Sequence, residues 1–314
     1  MKPNYTRAFR LIPTQKLQHG AFPRIESVSR RAWCGIVERE PSMSGEAGEH
    51  SRMDVALAAH RLRVPQSCRD HRHRGHDMSR GFRLRTARLQ FTERTGGEPN
   101  YGFHGVALLA MRACRIEHVS GTVSLIGGLQ RVKGVRLAPS PTGSQDNTLQ
   151  AWSWIPQTFS WVEPTAWCLL SLKKWAPTNL GVDPARLDEA ERLLINRSCS
   201  AGGWNYGNAD VLGKELRPYV PTSAIALLAL QHRRDHPVVE RSVDYLEKHA
   251  TSERSGTALA LALLALRVHG RRDDAVRSAL VAQLPVTMTL QNHAAVALAA
   301  YALSSEQTYA AFTL

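Results

Sequence analysis

Four Ala/Leu-rich segments recur along the second half of this 314-residue chain, and that recurrence restricts the fold more than any other feature. They read EPTAWCLLSL from Glu163, VPTSAIALLAL from Val220, SGTALALALLAL from Ser255 and NHAAVALAAYAL from Asn292. Anchored at Thr165, Thr222, Thr257 and Ala294, their spacings are 57, 35 and 37 residues. Periods of this size belong to stacked supersecondary units. Three segments of another kind lie between them. Asp183–Arg197 opens with Asp before Pro, a good N-cap and first-turn pair, and lines up Leu187, Ala190 and Leu194. His236–Ala250 carries Val239, Val243, Leu246 and Ala250, and Arg272–Leu284 carries Val276, Leu280 and Leu284. Each has one apolar stripe and a charged far side, as a helix facing water does.

The two kinds of segment imply two environments. A helix apolar nearly all round is buried on both sides or lines a cavity, whereas a one-stripe helix covers it from outside. The expected fold is therefore all-α, built of α/α hairpin repeats closed into a toroid or left as an open arc. Pro164 and Pro221 are expected in the first turns of their helices. Over 147–304 about seven helices and no sheet are expected, with Leu228, Leu264 and Leu298 buried and Glu240, Lys248 and Arg277 exposed. A closed toroid takes roughly twelve helices, close to 300 residues, so the legible part is an arc or a fragment.

The first half is a different kind of sequence. Residues 1–150 hold 24 Lys and Arg against 12 Asp and Glu, while 151–314 hold 16 against 15. Arg69–Arg85 carries six arginines, three histidines and almost nothing to bury, too little to offset the entropy of ordering. Short helical pieces are read at Met53–Leu62 and Gly105–Cys114, and the turn-rich run at 139–144 suggests a boundary. The expected division is a basic, poorly ordered segment at 1–146 and a repeat domain at 147–314. A solvated extension, a wrongly framed translation and a basic arm all fit this texture. Against a nucleic-acid arm, the basic residues follow no helical stripe and only Phe82 and Phe91 are nearby aromatics.

Five dispersed cysteines with no CxxC argue against a disulfide framework or thiolate zinc site and for a reducing, cytoplasmic setting. The N-terminus lacks an apolar signal core, and no apolar run reaches membrane-spanning length. Peripheral membrane contact stays open. No P-loop, GxSxG or HExxH motif occurs, and no cofactor is expected.

Six of the seven tryptophans lie between Trp152 and Trp204, five of them in two clusters. One runs from Trp152 through Trp161 to Trp167; the other is Gly202-Gly-Trp-Asn-Tyr206-Gly. Gly202 and Gly203 are suited to the left-handed backbone that ends a helix. The aromatics either plug the helix stack or line a pocket whose π faces take an isoprenoid or a carbocation. Trp161, Trp167, Trp204 and Tyr206 are the candidate ligand-binding residues. Glu163, at a helix start, faces a cavity or complements the helix dipole.

The phrases SWVEPTAW, GGWNYGN and PTSAIALLALQ resemble the prenyltransferase and squalene-oxidase repeat proteins of the squalene–hopene cyclase C-terminal superfamily, over about 147–304. That family runs a charged outer helix into a glycine–tryptophan loop; the glutamine that often precedes the loop is absent here. The resemblance implies an α/α toroid and a polyprenyl or triterpenoid substrate. The DxDD proton donor of the cyclases is missing, and Asp273-Asp274 reads as a solvated face. His293 resembles the zinc histidine of the protein prenyltransferases, but the preceding inner helix offers neither its Asp nor its Cys, so no metal is expected. Glu163 and His293 are the candidate catalytic residues. Two functions follow as expectations: a cyclase- or prenyltransferase-like protein, incomplete as an enzyme, or a non-catalytic helical scaffold binding a hydrophobic ligand or a protein.

Overall fold

The computed structural model describes residues 101–113, 119–139, 145–154, 157–304 and 311–314. All lie in the larger of the chain's two units, Gly45–Leu314. The expectations for Met53–Leu62, for Arg69–Arg85 and for the rest of 1–100 lie outside the described residues.

Nine α-helices are found among the described residues: α1 (Tyr101–Ala113), α2 (Val119–Arg131), α3 (Val162–Trp175), α4 (Pro184–Asn196), α5 (Val220–Ala229), α6 (Pro237–His249), α7 (Gly256–Val268), α8 (Asp274–Thr289) and α9 (His293–Leu303). Local chemistry sets most of the starts. Asp183 accepts from Ala185 N–H at 3.0 Å with Pro184 behind it, and Ser255 and Asn292 accept from Ala258 and Ala295 N–H. Pro164 and Pro221 sit in first turns, as their missing N–H groups allow.

Each odd-numbered helix packs against the next odd one, α1 on α3, α3 on α5, α5 on α7 and α7 on α9. The even helices cover them: α2 on α1, α4 on α3, α6 on α5 and α7, α8 on α7 and α9. Side-chain donors tie the C-terminal ends of the odd helices together. Lys173 of α3 donates to Ala229 O of α5, and Arg267 of α7 to Ala302 O of α9. His269, capping α7, meets Leu227 O of α5 at 3.0 Å. The odd helices therefore run in one direction, and carbonyls left over at their ends are satisfied across helices.

Burial follows the two predicted patterns. In α5 and α7 the Leu and Ala side chains are buried all round, while α6 buries Val239, Val243 and Leu246 and exposes Glu240 and Lys248. Leu228 and Leu264 are fully buried and Arg277 is exposed; Leu298 is only half-buried, because α9 ends the row among the described residues.

Two expectations need correction. The core continues upstream of residue 147: Leu108, Leu109, Ile126 and Leu129 share one hydrophobic cluster with α3. Gly105 makes this possible, since a Cβ there would lie 2.9 Å from the backbone of Trp167 and Cys168. Helices α1 and α2 thus belong to the packed body although their surroundings are basic. The region is also not wholly free of sheet. Asp210–Val211 pairs with Lys214–Glu215 in a two-strand antiparallel ribbon. Leu212 and Gly213 turn it with φ of 52° and 71°, both left-handed, as a tight hairpin demands.

Candidate functional site

The loops entering α3 and α5 are built alike, group by group. Trp152 and Trp204 are both fully buried. The Trp152 indole N–H donates to Leu129 O at 2.9 Å, two residues before the end of α2; the Trp204 indole N–H donates to Leu194 O at 2.6 Å, two residues before the end of α4. Trp152 N–H donates to the Thr165 hydroxyl and Trp204 N–H to the Ser223 hydroxyl, and each hydroxyl donates back to the same tryptophan's carbonyl at 3.3 Å. Those carbonyls also accept from Trp161 N–H and Tyr219 N–H, the residues preceding α3 and α5. Trp161 therefore corresponds to Tyr219, and Thr165 to Ser223. The spacing of the Ala/Leu segments sets Thr165 opposite Thr222, one residue short of this correspondence.

The glycines make the second loop. Gly202 and Gly203 have φ of 88° and 76°, and a Cβ on Gly202 would lie 2.4 Å from Arg241 O. Only glycine fits that conformation in that space. The first loop is held by Arg186, which sequence reasoning missed. Its guanidinium lies 4.1 Å from the Trp152 ring and donates to Gln150, Val132 and Ala151 carbonyls. An arginine in an amphipathic helix gives no signal of this; the three carbonyls it serves are all distant in sequence, and only Glu189, 3.3 Å away, is a neighbour on the helix.

On top of these loops lies an aromatic edge. Phe159 and Trp161 stack at 4.4 Å, and Tyr206 and Tyr219 meet at 5.1 Å. The two pairs adjoin: Val162 N–H donates to Tyr206 O, and a Cβ on Gly207 would lie within 4.0 Å of the Phe159 ring and Trp161 Cα. Phe159 and Trp161 are half-buried, while Tyr206 and Tyr219 are 54% and 45% exposed. Leu212 and Leu216 of the neighbouring ribbon are exposed as well.

The sequence-derived candidates separate into groups. Trp161 and Tyr206 meet on this edge. Trp204 does not reach it: buried, with its N–H spent on a helix end, it is a structural plug and not a ligand wall. Trp167 sits half-buried inside α3, its ring 6.2 Å from Phe312. Glu163 lies one turn before it on the same helix. Burial raises the Glu163 pKa, and a hydrogen bond from Trp167 opposes that rise. His293 is exposed at the start of α9, where Asn292 supplies the cap. Helices α3 and α9, which bear Glu163 and His293, are not direct neighbours in the row of odd helices. Asp273 is not simply solvated, since it pairs with Arg267.

A charge cluster, unforeseen from sequence, joins the C-terminal end of α3 to the middle of α4, with Glu191 buried, Lys173 largely buried and His232 and Arg233 exposed. The Glu191 carboxylate lies 2.9 Å from Lys173, 3.0 Å from His232 and 2.9 Å from Arg233. Burial pushes Glu191 up, but His232, Lys173 and Arg233 outweigh it and hold the carboxyl at about 2. Burial pulls Lys173 down to about 8 against the attraction of Glu191.

Among the described residues no group of three or more His, Cys, Asp or Glu is placed to hold a metal ion, and no helix is long and apolar enough to cross a membrane. Comparison of the chain with protein-family models, curated proteins and solved structures gives no match.

Proposed function

We propose that this chain is an α/α hairpin repeat protein, related in architecture to the terpenoid cyclases and prenyltransferases, that binds an apolar, isoprenoid-type ligand on its aromatic edge without turning it over. The repeat reading is supported by the matched loops, in which Trp152, Trp161 and Thr165 make the same bonds as Trp204, Tyr219 and Ser223. The binding reading rests on one observation: the adjoining pairs Phe159–Trp161 and Tyr206–Tyr219, left partly open above a core that buries Trp152, Trp175 and Trp204. Aromatic faces beside exposed leucines suit a chain of isoprene units, which offers much apolar area and no hydrogen-bond donors.

The test is titration of the chain with farnesol and with longer polyprenols, followed by tryptophan emission. Tyr206→Ala with Tyr219→Ala should weaken binding at least tenfold while the melting temperature stays within about 2 °C, since exposed side chains contribute little to stability. Unchanged affinity in that double variant refutes the site.

One observation favours an enzyme instead. Glu163 is a carboxyl whose pKa is raised by burial beside an indole, the condition for an acid that delivers a proton to an olefin. Turnover of a polyprenyl substrate, abolished by Glu163→Gln with stability unchanged, would establish that function and displace the binding-only proposal.

A further inference from the structure

Residues 311–314 lie against the odd-numbered helices and are held there by side chains from three of the chain's hairpins. Ala311 N–H donates to the Tyr301 hydroxyl at 3.1 Å. The Gln231 amide donates from Nε2 to Phe312 O at 2.8 Å and accepts at Oε1 from Leu314 N–H at 2.9 Å. The Lys174 ammonium donates to Thr313 O. Phe312 is fully buried between two rings, Trp167 of α3 at 6.2 Å and Tyr301 of α9 at 5.5 Å.

The pattern is that of peptide recognition. Gln231 bridges the carbonyl of one residue and the N–H of the residue two further on, and it is itself buried. Such a bridge reads the backbone of a short turn irrespective of side chains. Selectivity then falls on one position, the aromatic side chain between Trp167 and Tyr301. The flanking side chains point elsewhere: Thr313 and Leu314 are exposed. The receptor side is contributed by α3, α9 and the residue following the α5 cap, and none of it belongs to the segment bound.

We infer that the groove formed by Trp167, Lys174, Gln231 and Tyr301 is a binding site for a short peptide turn carrying an aromatic residue, supplied by a protein partner. The chain's own Ala311–Leu314 is its present occupant. A tethered occupant acts at a high effective concentration, so a partner segment competes only when it binds better or when the tether's hold is weakened. This site is distinct from the aromatic edge and does not depend on the isoprenoid proposal.

The test uses the full chain and a fluorescein-labelled Ala-Phe-Thr-Leu peptide, read by anisotropy. Phe312→Ala empties the aromatic position in the chain's own segment. It should bind the peptide saturably and at least tenfold more tightly than the unaltered chain. Binding should vanish with an Ala-Ala-Thr-Leu peptide and when Gln231→Ala is added. A folded Phe312→Ala chain that takes up no peptide overturns the inference, as does peptide binding indifferent to Gln231. Failure of Phe312→Ala to fold also overturns it, since a side chain the fold requires is not an exchangeable occupant.

Discussion

Replacing Trp204 with Phe separates a structural tryptophan from a ligand-binding one. Phenylalanine keeps an aromatic face but loses the N–H that donates to Leu194 O. That carbonyl retains a longer bond from Arg197 N–H at 3.2 Å, so the hydrogen-bond loss falls at the lower end, about 1 kcal/mol. The smaller ring also forfeits contacts in a fully buried site, a further ~1–2 kcal/mol at ~0.8 kcal/mol per buried carbon. A total of about 2–3 kcal/mol lowers the melting temperature of a body this size by roughly 4–12 °C. Trp152→Phe should cost more, because the Arg186 guanidinium 4.1 Å from its ring exchanges an indole for the weaker cation–π face of a phenyl ring. Thermal and urea unfolding followed by circular dichroism measure both; an unchanged urea slope would mean that stability alone has shifted. Polyprenol affinity should stay constant in Trp204→Phe at temperatures where the variant is folded. A variant as stable as the parent that binds polyprenol tenfold more weakly would refute the plug assignment and make Trp204 a ligand wall.

Other perturbations test the frame around the loops. Gly105→Ala places a methyl 2.9 Å from the α3 backbone, which cannot yield as a side chain could; a loss of about 1–3 kcal/mol is expected in chemical denaturation. Glu191 has a folded pKa of about 2, below its ordinary 4.5, so its stabilisation is fully present above about pH 5 and is lost as pH falls toward 2. Acid titration of the melting temperature should show that loss, and Glu191→Gln should flatten it. The Lys173 pKa is lowered, so the unfolded chain binds more protons between about pH 8 and 10.5, and this group makes stability rise with pH across that window. Leu212→Asn should be neutral or stabilising by up to about 1 kcal/mol, since Leu212 is 83% exposed with a left-handed φ that asparagine tolerates better.

Features governed by neighbours a turn away in sequence were legible. The α6 stripe, the Asp183–Pro184 start of α4 and the left-handed Gly202–Gly203 pair all follow from spacing or from backbone sterics at one residue. What escaped depends on distant partners. Nothing in the run from Tyr101 to Ala113 says that Gly105 will meet the α3 backbone, so α1 was placed with the basic half. The choice of Ser223 over Thr222 as the counterpart of Thr165 turns on which hydroxyl faces Trp204 N–H, and two adjacent hydroxyl residues look alike in a sequence. Arg186 and Glu191 sit on α4 among other charged residues and are buried only because the loop at 150–152 and the end of α3 arrive beside them.

The same reasoning explains why the tryptophans divide as they do. Trp152 and Trp204 each follow an even helix and return to a carbonyl in its last turn, where the chain itself supplies only a longer bond, from Val132 N–H at 3.3 Å and from Arg197 N–H at 3.2 Å. An indole is well suited to that place: it supplies the donor and fills the space between hairpins with one side chain. Once the N–H is committed, the ring goes inward and no face remains for a ligand. Trp161 instead precedes α3, where a helix start exposes N–H groups and offers no carbonyl to an indole donor, so its ring lies over the loop against Phe159. Tyr219 holds the same station before α5 and is likewise left partly open. Which end of a helix an aromatic residue adjoins therefore decides whether it closes the core or remains open to a ligand.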